Sequence, residues 1–265
     1  MSTKKARRNS SRRDPVRPGR ETMKKATHKT ARRSAKKAVV QATSGSPARN
    51  DPSGKTRQPG KRTASRAAGR SKQEQREATR RLLMNIAREE FSRHGFAGAS
   101  TEKIVERAQV TRGALYHQFK DKQDLFRAVF EEAQADIVNA IGAAVETSED
   151  GWDALVKGCR AFLAATTGPG LVQIVMLDGP AVLGLAEWRR LDSEYSYQEL
   201  KIGIGEVMRA GMLPELPLDS LAVMLSGAMN EAALYCANAA NPARALKESQ
   251  ATIVEILEAL RARAT

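Results

Sequence analysis

Thr111, Arg112, Gly113, Tyr116 and His117 lie within one short stretch and carry the strongest chemical signal in the chain. An arginine, a phenol and an imidazole beside small residues suit contact with a DNA duplex. Arginine pairs with guanine edges in the major groove, and a tyrosine hydroxyl bonds phosphate. Catalysis fits the sequence less well. The three histidines, His28, His94 and His117, have no metal-ligand spacing and no obvious nucleophile partner. Cys159 and Cys236 are far apart and form no CxxC pair, so neither a zinc site nor a disulfide framework is indicated. Gly203-Ile204-Gly205 begins like a dinucleotide fingerprint, but Met208 stands where the third glycine belongs and no strand precedes it. No P-loop is present. The expectation is a protein that is not an enzyme and uses no cofactor and no metal.

A recognition surface of this kind must be held by its neighbours. Leu83, Ile86, Ala87 and Phe91 recur at helical spacing and predict a first helix over 73–93 with one buried face, ended by Gly95. Ser100 or Thr101 is placed to cap a second helix, 101–108, which turns Ile104, Val105 and Ala108 inward. Gln109-Val110 makes a tight turn. Thr111 then caps a third helix, 112–119, too short to be stable without packing. Its Leu115 and Phe119, at i and i+4, form the inward pair and leave Arg112, Gly113, Tyr116 and His117 outward. Asp121 caps a fourth helix, whose first-turn Lys122 can reach a phosphate. Two short helices joined by a turn, the second with a polar exposed face, follow the logic of a helix-turn-helix.

At this point the stretch resembles the DNA-binding domain of the TetR (tetracycline repressor-like) family. Thr79-Arg80, Ala87, Phe91, Gly95-Phe96, Ser100-Thr101, Ile104, Ala108, the run Val110 to Tyr116, Phe119, Lys122 and Leu125-Phe126 carry the resemblance. It implies that helix 111–119 enters the major groove, with contacts at Thr101, Arg112, Gly113, Ala114, Tyr116, His117 and Lys122. With the caps Ser100 and Thr111 these form the candidate DNA-binding set. Some positions depart from the family pattern. Gln109 replaces a turn glycine, at a cost on the order of 1 kcal/mol if its backbone is left-handed. Gln118 replaces a histidine, Glu90 an apolar residue, and Glu102 puts a negative charge near the phosphate path.

Beyond 137 the helical pattern continues, with helices expected over 122–147, 152–166, 170–177, 181–210, 218–239 and 243–263. The folded part is expected to be all-α: residues 76–137 a three-helix DNA-binding domain and residues 138–265 an effector-binding and dimerisation domain. The resemblance implies a homodimer formed by the last two helices and a small-molecule pocket among the middle ones. Leu221, Met224, Leu225, Ala228, Ala232 and Tyr235 on one helix, and Leu246, Ile253, Ile256, Leu257 and Leu260 on the next, supply the stripes. The same stripes also suit a monomer's own core. Cys159, Phe162, Met176, Trp188, Tyr195 and Met208 are the candidate pocket walls. Asp178, before Gly179-Pro180, is placed either to cap a helix or to hold a ligand.

Charge is strongly asymmetric. The chain of 265 residues carries a net +14, yet residues 1–70 alone hold 22 Lys and Arg against Asp14, Glu21 and Asp51, a net +19. They contain no Leu, Ile, Phe, Tyr or Trp, so residues 1–72 are expected to be a disordered basic arm that binds phosphate backbones. The alternatives are a solubilising tail or translation starting at Met23. The basic N-terminus has no apolar segment behind it, as a signal peptide would. No apolar run approaches the roughly 18 residues of a membrane helix. The place expected is the cytoplasm, on the nucleoid; the partners are an operator duplex, a second copy and a small-molecule effector, without a membrane. A competing reading is an architectural protein that coats DNA with little sequence preference.

Overall fold

The computed structural model describes residues 60–264, with side chains from Ser71 onward. Residues 1–59 of the expected arm lie outside the described residues. Every regular element described is helical. Helix α1 (Gly60–Gly98) begins earlier than the expected 73. The segment 60–72 is rich in Ala, Lys and Arg and has no proline, and these residue types extend a helix without needing a buried face. Gly95, with φ 65° and ψ 173°, breaks α1 before its last turn, as the sequence suggested.

Helix α2 (Thr101–Arg107), α3 (Arg112–Gln118) and α4 (Lys122–Val145) follow. Next come α5 (Gly151–Thr166) and a π-helical turn, Val172–Asp178. The expected single helix 181–210 is instead three: α6 (Gly179–Leu183), α7 (Leu185–Glu194) and α8 (Ser196–Arg209). Two backbone conformations cause the breaks, Gly184 at φ 81° and Tyr195 at φ −111°, ψ −104°. The first suits only glycine well. The second has no glycine or proline to announce it. Helices α9 (Leu218–Asn238) and α10 (Pro242–Arg261) close the described chain.

Helix α4 connects the two ends of the molecule. Its N-terminal half packs on α1, and its length runs along α5. Phe91 and Phe96 of α1 meet Phe126 and Phe130 of α4 in a buried aromatic cluster, with ring centroids 5.2 to 6.5 Å apart. Helix α5 then packs on α8, α9 and α10. One continuous apolar core therefore runs from Leu83 in α1 to Leu257 in α10. No helix among the described residues is long and apolar enough to cross a membrane.

Candidate nucleic-acid interface

The short helix α3 is fixed from three sides. Thr111 caps it, its hydroxyl accepting from the Ala114 N–H at 3.2 Å. Leu115 and Phe119 are each 2% exposed and anchor its inner face. Arg80 of α1 lies behind it: its guanidinium stacks 4.4 Å from the Phe119 ring centroid and donates to the last carbonyl, Gln118 O, at 3.4 Å. Arg112, Gly113, Tyr116 and His117 are left in solvent, and Ala114 is half-buried. The turn before α3 closes by two backbone bonds, Gln109 N–H to Glu106 O and Val110 N–H to Val105 O, the paired pattern of a left-handed helix end. Gln109 takes φ 52° there, the conformation that glycine would adopt more easily.

Charges around α3 are pre-arranged. Ser100 caps α2 by accepting from Lys103 N–H at 3.3 Å, and the Ser100 and Thr101 hydroxyls both donate to Glu102. Glu102 also faces Arg112 at 3.5 Å. Its own backbone N–H, joined by the Ser100 and Thr101 hydroxyls, holds the Glu102 carboxyl below its ordinary range. Arg112 in turn lies 5.6 Å from the Tyr116 ring centroid, and that neighbour raises its pKa. Lys122 rests 4.6 Å from the Phe96 ring centroid. Asp121 caps α4 through Asp124 N–H, and Asp124 returns the bond to Lys120 N–H. The unexpected Glu90 is buried but paired: Arg107 of α2 reaches Glu90 at 2.8 Å and Glu89 at 2.5 Å, which binds α2 to α1.

Further along, α4, α5, α7, α8 and α9 enclose a cavity of about 910 Å³, open mouth included. Glycines on three of these helices, Gly142, Gly158 and Gly203, give it room. Of the expected wall residues, Cys159 and Phe162 line it. Burial pushes the Cys159 thiol up to about 12, so it stays neutral. The other four lie outside this lining. Met176 is core, Met208 is half-buried against the core, and Tyr195 sits at the α7–α8 break. The Trp188 indole donates to Val175 O at 2.8 Å, which fastens α7 to the π-helical turn. Asp178 caps nothing: its Oδ2 accepts from the Phe96 N–H at 2.7 Å, at the broken end of α1.

Comparison with known proteins agrees with this geometry. Residues 83–129 match the family of bacterial regulatory proteins called tetR, and residues 152–260 match the tetracyclin repressor-like C-terminal domain. TetC of transposon Tn10 from Escherichia coli is 25% identical over 166 residues, 63% of this chain and 84% of TetC. The regulator AcrR of Shigella flexneri is 41% identical over 70 residues, 26% of this chain and 32% of AcrR. A TetR-family transcriptional regulator from Pectobacterium atrosepticum, solved by crystallography, is 32% identical. It covers 70% of this chain and 95% of its own, with a TM-score of 0.60. The chain belongs to the TetR family. It is a DNA-binding transcriptional regulator, and such regulators are generally repressors, typically homodimeric and effector-binding.

For a TetR-family chain, several working residues escape a sequence reading. Arg80 and Asp178 act across 38 and 82 positions, distances at which no periodic pattern signals contact. Ser196, Glu199, Gly203 and Glu206 line the cavity from α8. Their spacing of three, four and three residues marked one helical face, and it carries two carboxylates. That signal was available in the sequence.

Proposed function

We propose that this protein is a homodimeric repressor that reads a palindromic operator with α3 of each subunit and is released by a small molecule in the α4–α9 cavity. The observation that carries the proposal is the one-sided burial of α3. Leu115 and Phe119 are locked inward, while Arg112, Tyr116 and His117 stand free of the core. In this reading residues 76–137 form the DNA-binding unit and residues 138–265 the effector and dimer unit, working on the nucleoid in the cytoplasm. Base or phosphate contacts belong to Ser100, Thr101, Thr111, Arg112, Gly113, Ala114, Tyr116, His117 and Lys122.

The dimer surface is the outward stripe of α9. Met224 is 72% exposed, Tyr235 58% and Val223 59%, with Ile256 of α10 at 44%. Gly227 and Ala228 lie exposed within it and permit close helix approach. The expected stripes thus divide: Leu225, Ile253 and Leu257 belong to the core, while Met224, Tyr235 and Ile256 face out. Two recognition helices roughly 34 Å apart would match one turn of duplex. Helix α4 supports release, since Lys122 at one end borders α3 and Val138, Ile141 and Gly142 near the other line the cavity.

Selection of duplexes from a random pool tests the reading. A palindromic site should emerge, and Arg112→Ala should weaken it by about 1–3 kcal/mol. An unchanged affinity and footprint would remove Arg112 from the interface. Recovery of no preferred sequence would favour the architectural alternative.

A further inference from the structure

The cavity is mostly apolar, and its polar side chains are the Ser196, Tyr197 and Ser226 hydroxyls and three carboxyls. Asp192, Glu199 and Glu206 line it, and no lysine, arginine or histidine does. Glu199 Oε1 is cut off from solvent and has no hydrogen-bond partner. Asp192 is held beside the Gln134 amide, which offsets only part of the cost of its burial. A carboxylate in such surroundings gains from a counter-charge, and an anionic ligand would add to the repulsion. A metal ion fits poorly, because no group of three or more His, Cys, Asp and Glu among the described residues is arranged to hold one. The carboxyls are spread along the wall, and Phe162 and Tyr197 add aromatic faces to it. Ring faces attract cations as well. An occupant should therefore combine positive charge with an apolar body.

We infer that the effector is an apolar organic cation, a protonated amine or quaternary ammonium bearing a ring system, bound in this cavity by Asp192 and Glu199. The inference rests on the effector-release reading above and gives its ligand a chemical class. Binding of the cation removes the electrostatic cost of the facing carboxylates, and that differential interaction is what can shift the protein between two states.

Three probes with one ring system test it: naphthylmethylammonium, naphthylmethanol and naphthylacetate, titrated by calorimetry into the full chain. The ammonium should bind roughly tenfold or more tightly than the alcohol and the acetate. The double variant Asp192→Asn, Glu199→Gln should lose that preference while still binding the alcohol. Gly142→Leu, where an added Cβ meets nothing within 4 Å, should obstruct the cavity and weaken the ammonium while the fold is kept. Equal binding of the three probes, preference for the acetate, or no binding of any overturns the inference. So does ammonium binding that either variant leaves unchanged. Operator affinity measured on the same preparation separates the failures. A protein that holds its operator and shows no cation preference loses only this inference, and one that binds no duplex loses the regulator reading as well.

Discussion

Arg112 does not wait free in solvent. Glu102 at 3.5 Å and the Tyr116 ring at 5.6 Å hold it beside α3, so it must leave one partner to reach a base. Glu102→Gln should release it and remove a negative charge from the phosphate path. Affinity for all duplexes should then rise by about threefold, more at low salt, as read by fluorescence anisotropy; a loss of affinity would mean that Glu102 orients Arg112 productively. Gln109 offers a stability test of similar kind. At φ 52° its side chain is strained, so Gln109→Gly should stabilise by up to about 1 kcal/mol and Gln109→Val should destabilise by at least as much in thermal unfolding. Asp192 titrates in the opposite sense from a salt-bridged carboxylate. Burial raises it from 3.8 to about 6. Below pH 4 folded and unfolded chains both keep the proton. Between about 4 and 6 the unfolded chain releases it first, so stability falls by about 2–3 kcal/mol and stays lower above pH 6. Asp192→Asn should therefore melt higher than the parent at pH 7.5, with the gap closing near pH 4. At this scale the sequence was readable where a residue's role is local: the Thr111 cap, the Leu115–Phe119 anchor and the glycine-like turn at Gln109. Asp192 was not, because its burial depends on helices that meet it from elsewhere in the chain.

Among the elements, those set by periodicity alone were legible. Helices α2, α3, α4, α5, α9 and α10 fall within a few residues of their expected bounds, since each has a cap or a glycine or proline at its ends. The segment 172–194 was legible only in part: a helix was expected over 170–177, but not its π-helical period, and the Tyr195 break has no residue type to mark it. That same segment makes the join to the DNA-binding end. Asp178 accepts from Phe96 N–H, Gln123 donates to Val182 O at 2.9 Å, and Arg127 pairs with Glu187. Arg190 and Arg127 hold the Glu187 carboxyl down at about 2, so this pair persists through any ordinary pH. Asp178→Ala leaves the Phe96 N–H without its acceptor. It should cost about 1–2 kcal/mol of stability and speed hydrogen exchange at residues 96–98, while Asp178→Asn, which keeps an acceptor oxygen, should recover most of both. Exchange at 96–98 unaffected by Asp178→Ala would show that the turn after Gly95 stands without this bond.

The whole molecule is polarised. Net charge falls from +19 over residues 1–70, through +4 over 71–127, to −9 over 128–265, so a duplex should be drawn to the N-terminal part of the chain and repelled by the C-terminal part. Met224→Lys, placed on the most exposed apolar residue of α9, should give a monomer in sedimentation. It should also weaken a palindromic operator by about 10² or more, because the second helix no longer binds at high effective concentration. A dimer that survives would move the interface elsewhere. If the basic segment meets the duplex it should act differently from α3, since phosphate contacts add affinity without reading sequence. Residues 1–59 hold 18 Lys and Arg against three acids. Removing them should lower affinity for operator and random duplex by the same factor and flatten the dependence on salt, with the preference between the two preserved. If instead the preference collapses, those residues read bases. If the salt slope does not change, their charge never meets the duplex and the solubilising alternative is the better account of them.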